Sequence, residues 1–542
     1  MRWIQTWISI NKKLIYSVEG KPVKKKTYWS YVVLAFVLAV SAALAGCGGK
    51  SASNNASSSS QGKGNVAQEL TYATTSDVVG LSPILTNDSV SSAVIEQVYE
   101  TLFVRDPETM EIKPHLAESY ETPDDKTWVI KLKKGIKFHD GTDFNAEAVK
   151  YTFDKLRDPK TAAPRASLLE PVESVEVKDD YTVVIKTKYP YGPMLAALSH
   201  TNASIVSPTA DQKQDLMKQP VGTGPFKFVE WVPGDHVTLE KNDDYWQGAP
   251  KLEKVTFKVV PEVTTAISML QTGDVQFIDN IPAEQLSRVE SMKNVQLIKK
   301  EGTPVYYLGF NMKKKPMNEL AFRQAVSYAI NKDEYIQQLK GLGVKSNSVI
   351  GPKVFGYDES SENVAYSYDP EKAKQLIEKH GYKGTKITIL VANTASYMKM
   401  AEIVQAQLKE VGINAEIESM EWGTFLDATK QGKYDMTFLG WTNSTADGSE
   451  LFYPNFHSKN AGVSNRTFYS NPTFDKLVEE SRTTIDPEVR KQKLKKANEF
   501  LLKDAAVVVM NHGVVTAAVD QSVKGLEIDP TGQWSLYHVH RE

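Results

Sequence analysis

The densest cluster of groups able to make specific polar contacts is the run Gly440-Trp441-Thr442-Asn443-Ser444-Thr445-Ala446-Asp447-Gly448. An indole, several hydroxyls and amides and one carboxylate have the make-up of a small-molecule pocket wall, with an apolar face for contact area and a few polar groups for orientation. The run reads equally as a capped turn around a core tryptophan, and the residues alone leave both readings open. The groups needed for covalent chemistry do not assemble elsewhere. The chain has no Gly-x-Ser-x-Gly elbow and no His-Glu-x-x-His helix. It has no Gly-x-x-x-x-Gly-Lys-Ser/Thr loop, and Gly222-Thr223-Gly224 runs into Pro225-Phe226 instead of opening a helix with a third glycine. His538 and His540 supply two metal ligands where a site needs more. Asp124-Asp125 and Asp179-Asp180 read as acidic turns. No catalytic residue, cofactor or metal is expected, so the residues point to a binder and not an enzyme.

The elements that must position the run are legible in its surroundings. Lys386–Val391 reads as a strand and Tyr397–Val411 as a helix with Ile403, Val404 and Leu408 inward, closed by Gly412. Ala415–Met420, Trp422–Gln431 and Tyr434–Leu439 follow as strand, helix and strand. This alternation implies an α/β fold with a parallel sheet and right-handed crossovers. Ligands in such sheets bind beyond the carboxyl ends of strands, which is where the Gly440–Gly448 run falls. Earlier, Glu69–Thr74 reads as a first strand and Ser89 begins a helix carrying Val90, Val94, Val98 and Leu102. Asn145 caps another helix. Val172–Val177 and Tyr181–Ile185 read as the two strands of a hairpin, and Asp369-Pro370 opens a helix ended by Gly381.

Composition bounds the class. A chain of 542 residues, 41% apolar and 24% charged, is an ordinary globular protein of several domain-sized units. The N-terminal 46 residues hold seven basic side chains and one acid, so 57 basic and 65 acidic residues remain and the body carries a net −8. An acidic body excludes general nucleic-acid binding, which needs a cationic surface. Cys47 is the single cysteine, which excludes an internal disulfide and a thiolate-rich zinc site. Lys24-Lys25-Lys26, the apolar run Tyr31–Ala45 and small residues before Cys47 follow the order of a secretory signal. Leu44-Ala45-Gly46-Cys47 resembles the bacterial lipobox. That resemblance implies that Cys47 receives a diacylglyceryl group and becomes the mature N-terminus, anchored to the membrane by its acyl chains. The Ser, Asn and Gly-rich stretch that follows reads as a tether.

Several motifs together carry a family resemblance over residues 67–542. They are Leu116-Ala117-Glu118-Ser119-Tyr120 through Asp125 and Trp128, then Lys137-Phe138-His139-Asp140-Gly141 and Phe144-Asn145-Ala146-Glu147. Val221-Gly222-Thr223-Gly224-Pro225-Phe226, Asn242 with Tyr245-Trp246, Asn311 with Pro316, and Arg323-Gln324-Ala325 complete the set. In these the chain resembles the extracytoplasmic solute-binding proteins of ABC importers, in the peptide/nickel/oligopeptide-binding class (family 5). The resemblance implies a two-lobed type II periplasmic-binding-protein-like α/β fold that closes on its ligand by a hinge. A signal peptide would occupy 1–46 and a flexible tether 47–66. Lobe I would comprise 67–303 and 511–542, with an extra subdomain at about 100–205, and lobe II would comprise 304–510. A monomer is expected, with a peptide as ligand and partners in ABC permease subunits served by separate cytoplasmic ATPases. The ligand-contacting positions implied are Asn87, Asp88 and Ser89 on lobe I and Gly440, Trp441, Thr442, Asn443, Ser444 and Asp447 on lobe II. Many peptide binders of the class carry an Asp where Ser444 stands. The pattern Gly-Trp-x-x-Ser/Thr-x-x-Asp, with Gly532-Gln533-Trp534-Ser535 near the end, is more similar to the glutathione-binding branch. Asp447 either binds a ligand amino group or caps its own loop. Glutathione, a nickel chelate, haem or a sugar as ligand, or a role as a peptide sensor, remain alternatives.

Overall fold

A computed structural model describes residues 66–542. The signal segment, Cys47 and nearly all of the tether lie outside the described residues. Among the described residues no helix is long and apolar enough to cross a membrane.

The strands in chain order are β1 (Glu69–Thr74), β2 (Phe103–Arg105), β3 (Ile112–Pro114), β4 (Ala117–Asp124), β5 (Thr127–Leu132), β6 (Val172–Asp179), β7 (Thr182–Thr187), β8 (Phe226–Val232) and β9 (His236–Lys241). They continue with β10 (Lys254–Val259), β11 (Phe277–Asp279), β12 (Val295–Phe310), β13 (Gly343–Lys345), β14 (Lys386–Ala392), β15 (Asn414–Met420), β16 (Met436–Trp441) and β17 (Val507–Asp520). The principal sheet runs β15-β14-β16-β12-β17-β11-β1-β10-β9-β8. At its centre the two long strands β12 and β17 lie antiparallel. Val295–Glu301 pairs with Val514–Asp520, and Val305–Gly309 pairs with Val507–His512. The ladder is irregular between Glu301 and Val305 and again between Tyr306 and Tyr307.

The cores divide at that irregularity. Ala517 and Val519 belong to a core with β1, β10 and the Ser89–Val98 helix. Leu308, Val508 and Met510 belong to another with β14 and the Ala395–Glu410 helix. β4, β5, β7 and β6 form a separate antiparallel sheet, whose alternating Trp128, Ile130 and Leu132 are buried. β14 is parallel to both β15 and β16, as the strand–helix alternation requires. One boundary differs from the sequence reading. The last of these strands is Met436–Trp441, so Gly440 and Trp441 pair with Tyr306 and Val305 instead of opening a loop. Antiparallel pairing with β12 extends this strand beyond what local propensity shows.

The residues that carried the resemblance do structural work. Glu100, buried beyond the Ser89–Val98 helix, accepts from Tyr245 Oη (2.6 Å), Thr223 Oγ1 (2.7 Å) and Trp246 Nε1 (3.0 Å), and meets His115 Nε2 at 2.8 Å. Burial works to raise its pKa, but the hydrogen bonds, that with His115 foremost, outweigh it and hold the carboxyl below its ordinary range. Gly222 lets two backbones touch, since a Cβ there would lie 2.1 Å from the Val98 carbonyl oxygen. Asn311 Nδ2 ties Gly432 and Tyr434 carbonyls (2.8 and 2.9 Å). Arg323 donates to the carbonyls of Met317, Asp504 and Ala505.

Glu100→Ala leaves buried hydroxyl and indole donors without an acceptor and should cost roughly 3–5 kcal/mol of unfolding free energy. Gly222→Ala should cost about 1–3 kcal/mol through overpacking against backbone. Urea denaturation followed by circular dichroism measures both, and a loss below about 1 kcal/mol for Glu100→Ala would contradict the role assigned to this carboxylate.

Candidate functional site

Asp88, with extended backbone, caps the Ser89–Val98 helix by accepting from Ser91 N at 2.8 Å. Its second oxygen, Oδ2, is buried and has no hydrogen-bond partner among the described residues. Asn87 is exposed, and its Oδ1 accepts from Arg165 Nε at 2.5 Å. Ser89, the first residue of the helix, is exposed.

On the opposite half, β16 pairs with β14 only at Met436 and Thr437. Beyond Thr437 the side of β16 turned away from β12 has no strand partner among the described residues. Gly440 stands against Tyr306, where a Cβ would come within 2.8 Å of the ring, and Trp441 packs partly buried in an apolar cluster with Val305 and Phe452. Thr442 is exposed. Asn443 is buried and closes the loop on itself, its Nδ2 donating to the Asp447 carbonyl at 2.9 Å.

Asp447 is 3% exposed. Its Oδ1 caps the Gly448–Phe456 helix through Ser449 N (2.9 Å), accepts from Ser449 Oγ (2.7 Å) and meets Arg490 Nη2 at 2.5 Å. Burial alone would raise its pKa, but the Arg490 charge and these donors hold the carboxyl below the ordinary range. Of the two readings the sequence left open, loop capping is the one whose contacts are seen. The loop is fastened further by Phe355, whose N–H donates to the Ala446 carbonyl and whose carbonyl accepts from Gly448 N.

Ser444 reaches across to the other half, with its Oγ 3.1 Å from His200 Nε2. His200 Nδ1 accepts from Asn202 N at 3.2 Å, which assigns the ring proton to Nε2 and makes His200 the donor to Ser444. Burial first, then the charges of Arg165 and Arg105, push the His200 pKa down to about 3. Nearby, Gly192 N donates to the Arg482 carbonyl at 2.8 Å. A Cβ at Gly192 would lie 2.2 Å from the Thr484 carbonyl oxygen, so only glycine allows this approach. The two halves are in contact along this seam.

Behind His200 lies a cavity of about 420 Å³, lined by residues of the N-terminal half and the C-terminal tail. Ser199, Thr201, Glu96, Arg105, Gln533 and Trp534 are among its walls. The sequence reading named none of His200, Arg105, Arg165 or Arg490. Nothing local marks them, Arg490 included although it lies on the buried face of the Pro487–Lys503 helix, and only the tertiary path gives them their partners. His538 lines the cavity, while His540 pairs with Glu542 at 3.1 Å. Among the described residues no group of three or more His, Cys, Asp or Glu is placed to hold a metal.

Known proteins share this architecture. Residues 111–463 match the model of bacterial extracellular solute-binding proteins, family 5. The glutathione-binding protein GsiB of Shigella flexneri is 33% identical over 484 residues, covering 87% of this chain and 94% of its own. The solved structure of HbpA2 from Haemophilus parasuis superposes with a TM-score of 0.81 at 26% identity, over 88% of this chain and all of that one. The periplasmic binding protein DppA from Helicobacter pylori, solved with the peptide STSA, does so with a TM-score of 0.72 at 30% identity, over 88% and 98%. The match across most of the chain, on the same two-lobed type II frame, establishes that the protein belongs to the family 5 bacterial extracellular solute-binding proteins.

Proposed function

We propose that the protein captures peptides, or peptide-like solutes such as glutathione, between its lobes outside the membrane and delivers them unaltered to the permease of an ABC importer, whose ATP is hydrolysed by separate cytoplasmic subunits. The observation that carries this reading is the open edge of β16 beside a seam that closes through His200 and Ser444. An extended ligand can add its backbone to that edge, gaining main-chain hydrogen bonds without reading side chains. GsiB as a relative and DppA with its peptide as a structural neighbour favour a ligand of this class. On lobe I the unpartnered Asp88 Oδ2 is an acceptor for the ligand's amino group, with Asn87 and Ser89 beside it. On lobe II Gly440, Trp441, Thr442 and Ser444 border the ligand, while Asn443 and Asp447 hold the loop that presents them. The hinge lies where the β12–β17 ladder breaks, between Glu301 and Val305. Lipidation at Cys47 keeps the receptor at the membrane surface, and the tether lets a monomer reach its permease.

Three measurements test these points. Calorimetry with trialanine and with glutathione, alongside X-ray scattering, should show binding together with a fall in radius of gyration. Binding of neither probe, or binding without compaction, would overturn the reading. Cys47→Ser should abolish incorporation of labelled palmitate and release the protein from the membrane fraction, and retention of label would remove the anchor from the account. The third concerns pH. Opening the seam exposes His200 to water and relieves the burial that depresses it most, while Arg165 and Arg105 of its own lobe stay beside it, so its pKa rises toward the ordinary value near 6.5. The open form then binds more protons than the closed one between about pH 6.5 and the closed-state value of about 3. Closure is therefore favoured above pH 6.5 and weakens as pH falls, by up to about tenfold in affinity per pH unit. Affinity for trialanine should drop between pH 7.5 and 5.5, and His200→Gln should flatten that dependence.

A further inference from the structure

Where the β12–β17 ladder lapses, between Glu301 and Val305, the backbone of β12 is not left to solvent. Thr303 is 1% exposed, and its N–H donates to the Pro530 carbonyl at 2.8 Å. Gly302 lies against the same carbonyl, where a Cβ would come within 3.1 Å of the oxygen. Just before the break, the Lys300 ammonium donates to the Pro107 carbonyl at 3.0 Å, to Glu108 Oε1 at 2.6 Å and to the Ile528 carbonyl at 3.1 Å. An ammonium has three donors, so all of them are spent on the β2–β3 turn and the C-terminal tail. The tail is itself firmly held. Glu527 and Ile528 pair with Ser535 and Trp534, and Asp529 Oδ1 fixes the turn between them by accepting from Thr531 N, Thr531 Oγ1 and Gln533 N. The Trp534 ring packs on Tyr72 of β1 and Phe277 of β11, with centroids 5.0 and 4.9 Å away. Gln97 Nε2 donates to the Trp534 carbonyl at 3.1 Å, and Gln97 Oε1 accepts from Leu536 N at 2.9 Å.

On the far side of the break the allegiance changes. Val305 pairs with Trp441 of β16 and with His512 of β17. Between Thr303 and Val305 stands Pro304, whose ring fixes its φ. Facing it is Gly513, set between His512, the partner of Val305, and Val514, the partner of Glu301. A Cβ at Gly513 would lie 3.1 Å from Pro304 Cβ, so the two strands touch there. Backbone groups released from a ladder need partners, but at an exposed bulge water serves. Here a rigid hairpin takes that place, and a bulge clasped in this way is restrained. We infer that the C-terminal hairpin Glu527–Ser535 is a strap on the hinge: by tying Lys300 and Thr303 to lobe I, it confines rotation of the lobes to Pro304 and the facing Gly513. The inference rests on the hinge placed above and adds that the motion runs about one axis, not over a soft connector. A hinge clasped on one side has fewer open conformations to lose when a solute closes it, so less of the binding energy goes into ordering.

The test needs no solute, so it is decided apart from the peptide-capture reading. In the full chain carrying Cys47→Ser, spin labels at Lys251→Cys and Lys409→Cys, two exposed positions on either side of the hinge, give the interlobe distance distribution by pulsed dipolar spectroscopy. Hydrogen exchange read by mass spectrometry reports the amides of Gly302 and Thr303. Lys300→Met should speed that exchange about tenfold or more, as expected for the loss of hydrogen bonds from a charged group, and should broaden the distance distribution. Gly302→Ala keeps every polar group and presses a methyl on the Pro530 carbonyl. It should have the same two effects by an independent route, and it carries the test where Lys300→Met fails to fold. Lys299→Met loses only the pair with Glu290 at 2.7 Å, which has no partner on the tail, and should change neither readout. Distributions of wild-type width in Lys300→Met and Gly302→Ala, or equal broadening in Lys299→Met, would overturn the inference. So would faster exchange without broadening, since the bonds would then hold the strand and not the lobes.

Discussion

Two antiparallel strands, β12 and β17, run through both halves of the molecule, and their pairing restricts what the rest can do. Each strand contributes side chains to a different core at either end, Ala517 and Val519 to one and Val508 and Met510 to another. A slip of one residue in register would turn both sets out of their cores. Sliding is therefore forbidden, and relative motion of the halves is confined to bending or twisting where the ladder is already interrupted, between Glu301 and Val305. For the proposed receptor, rotation about such a point would open and close the seam at Gly192, His200, Ser444 and Arg482 without disturbing either core.

The fold was legible in the sequence to the extent that local rules decide it. Asn145, Asp369 and the glycines after helices marked element ends, and strand–helix alternation gave the parallel sheet around β14. The last two residues of β16, Gly440 and Trp441, were missed because pairing with β12, remote in sequence, sets its length. The site was less legible. The sequence singled out Trp441 and Ser444 through a composition-rich loop, whereas His200 and Arg165 are single polar residues whose contacts come from what the chain brings opposite them. The family motifs, for their part, describe the scaffold. Thr223, Tyr245 and Trp246 of the motifs join Glu100 and His115, which lie outside them, in one buried network remote from the β16 edge in its contacts, and Gly222 serves backbone approach. Strong motif matches can therefore establish the family while saying little about the solute.

Asp447 shows the difference between a conspicuous carboxylate and a reactive one. In sequence it is the one acid in a pocket-like loop. In the fold its Oδ1 has donors from a helix N-terminus, a hydroxyl and a guanidinium, and it shares the loop with Asn443, which closes the turn. Such a network fixes the loop before a ligand arrives, so that ordering costs are not taken from the binding energy.

The chemistry of the seam matters for function in a further way. The two hydrogen bonds joining residues 191–200 to 444–482 are both neutral, Gly192 to the Arg482 carbonyl and His200 to Ser444, and no ion pair joins the two halves among the described residues. A neutral hydrogen bond contributes only about 1 kcal/mol net, whereas a desolvated ion pair resists separation far more strongly. A receptor latched by ion pairs would stay shut whether or not it held a solute, and could neither load nor unload. In the proposed receptor, a latch of this kind would leave the differential contacts of the ligand with the two lobes to decide the population. The depressed pKa of His200 belongs to the same design, because an imidazolium between Arg165 and Arg105 would add repulsion to a seam that depends on a small favourable balance.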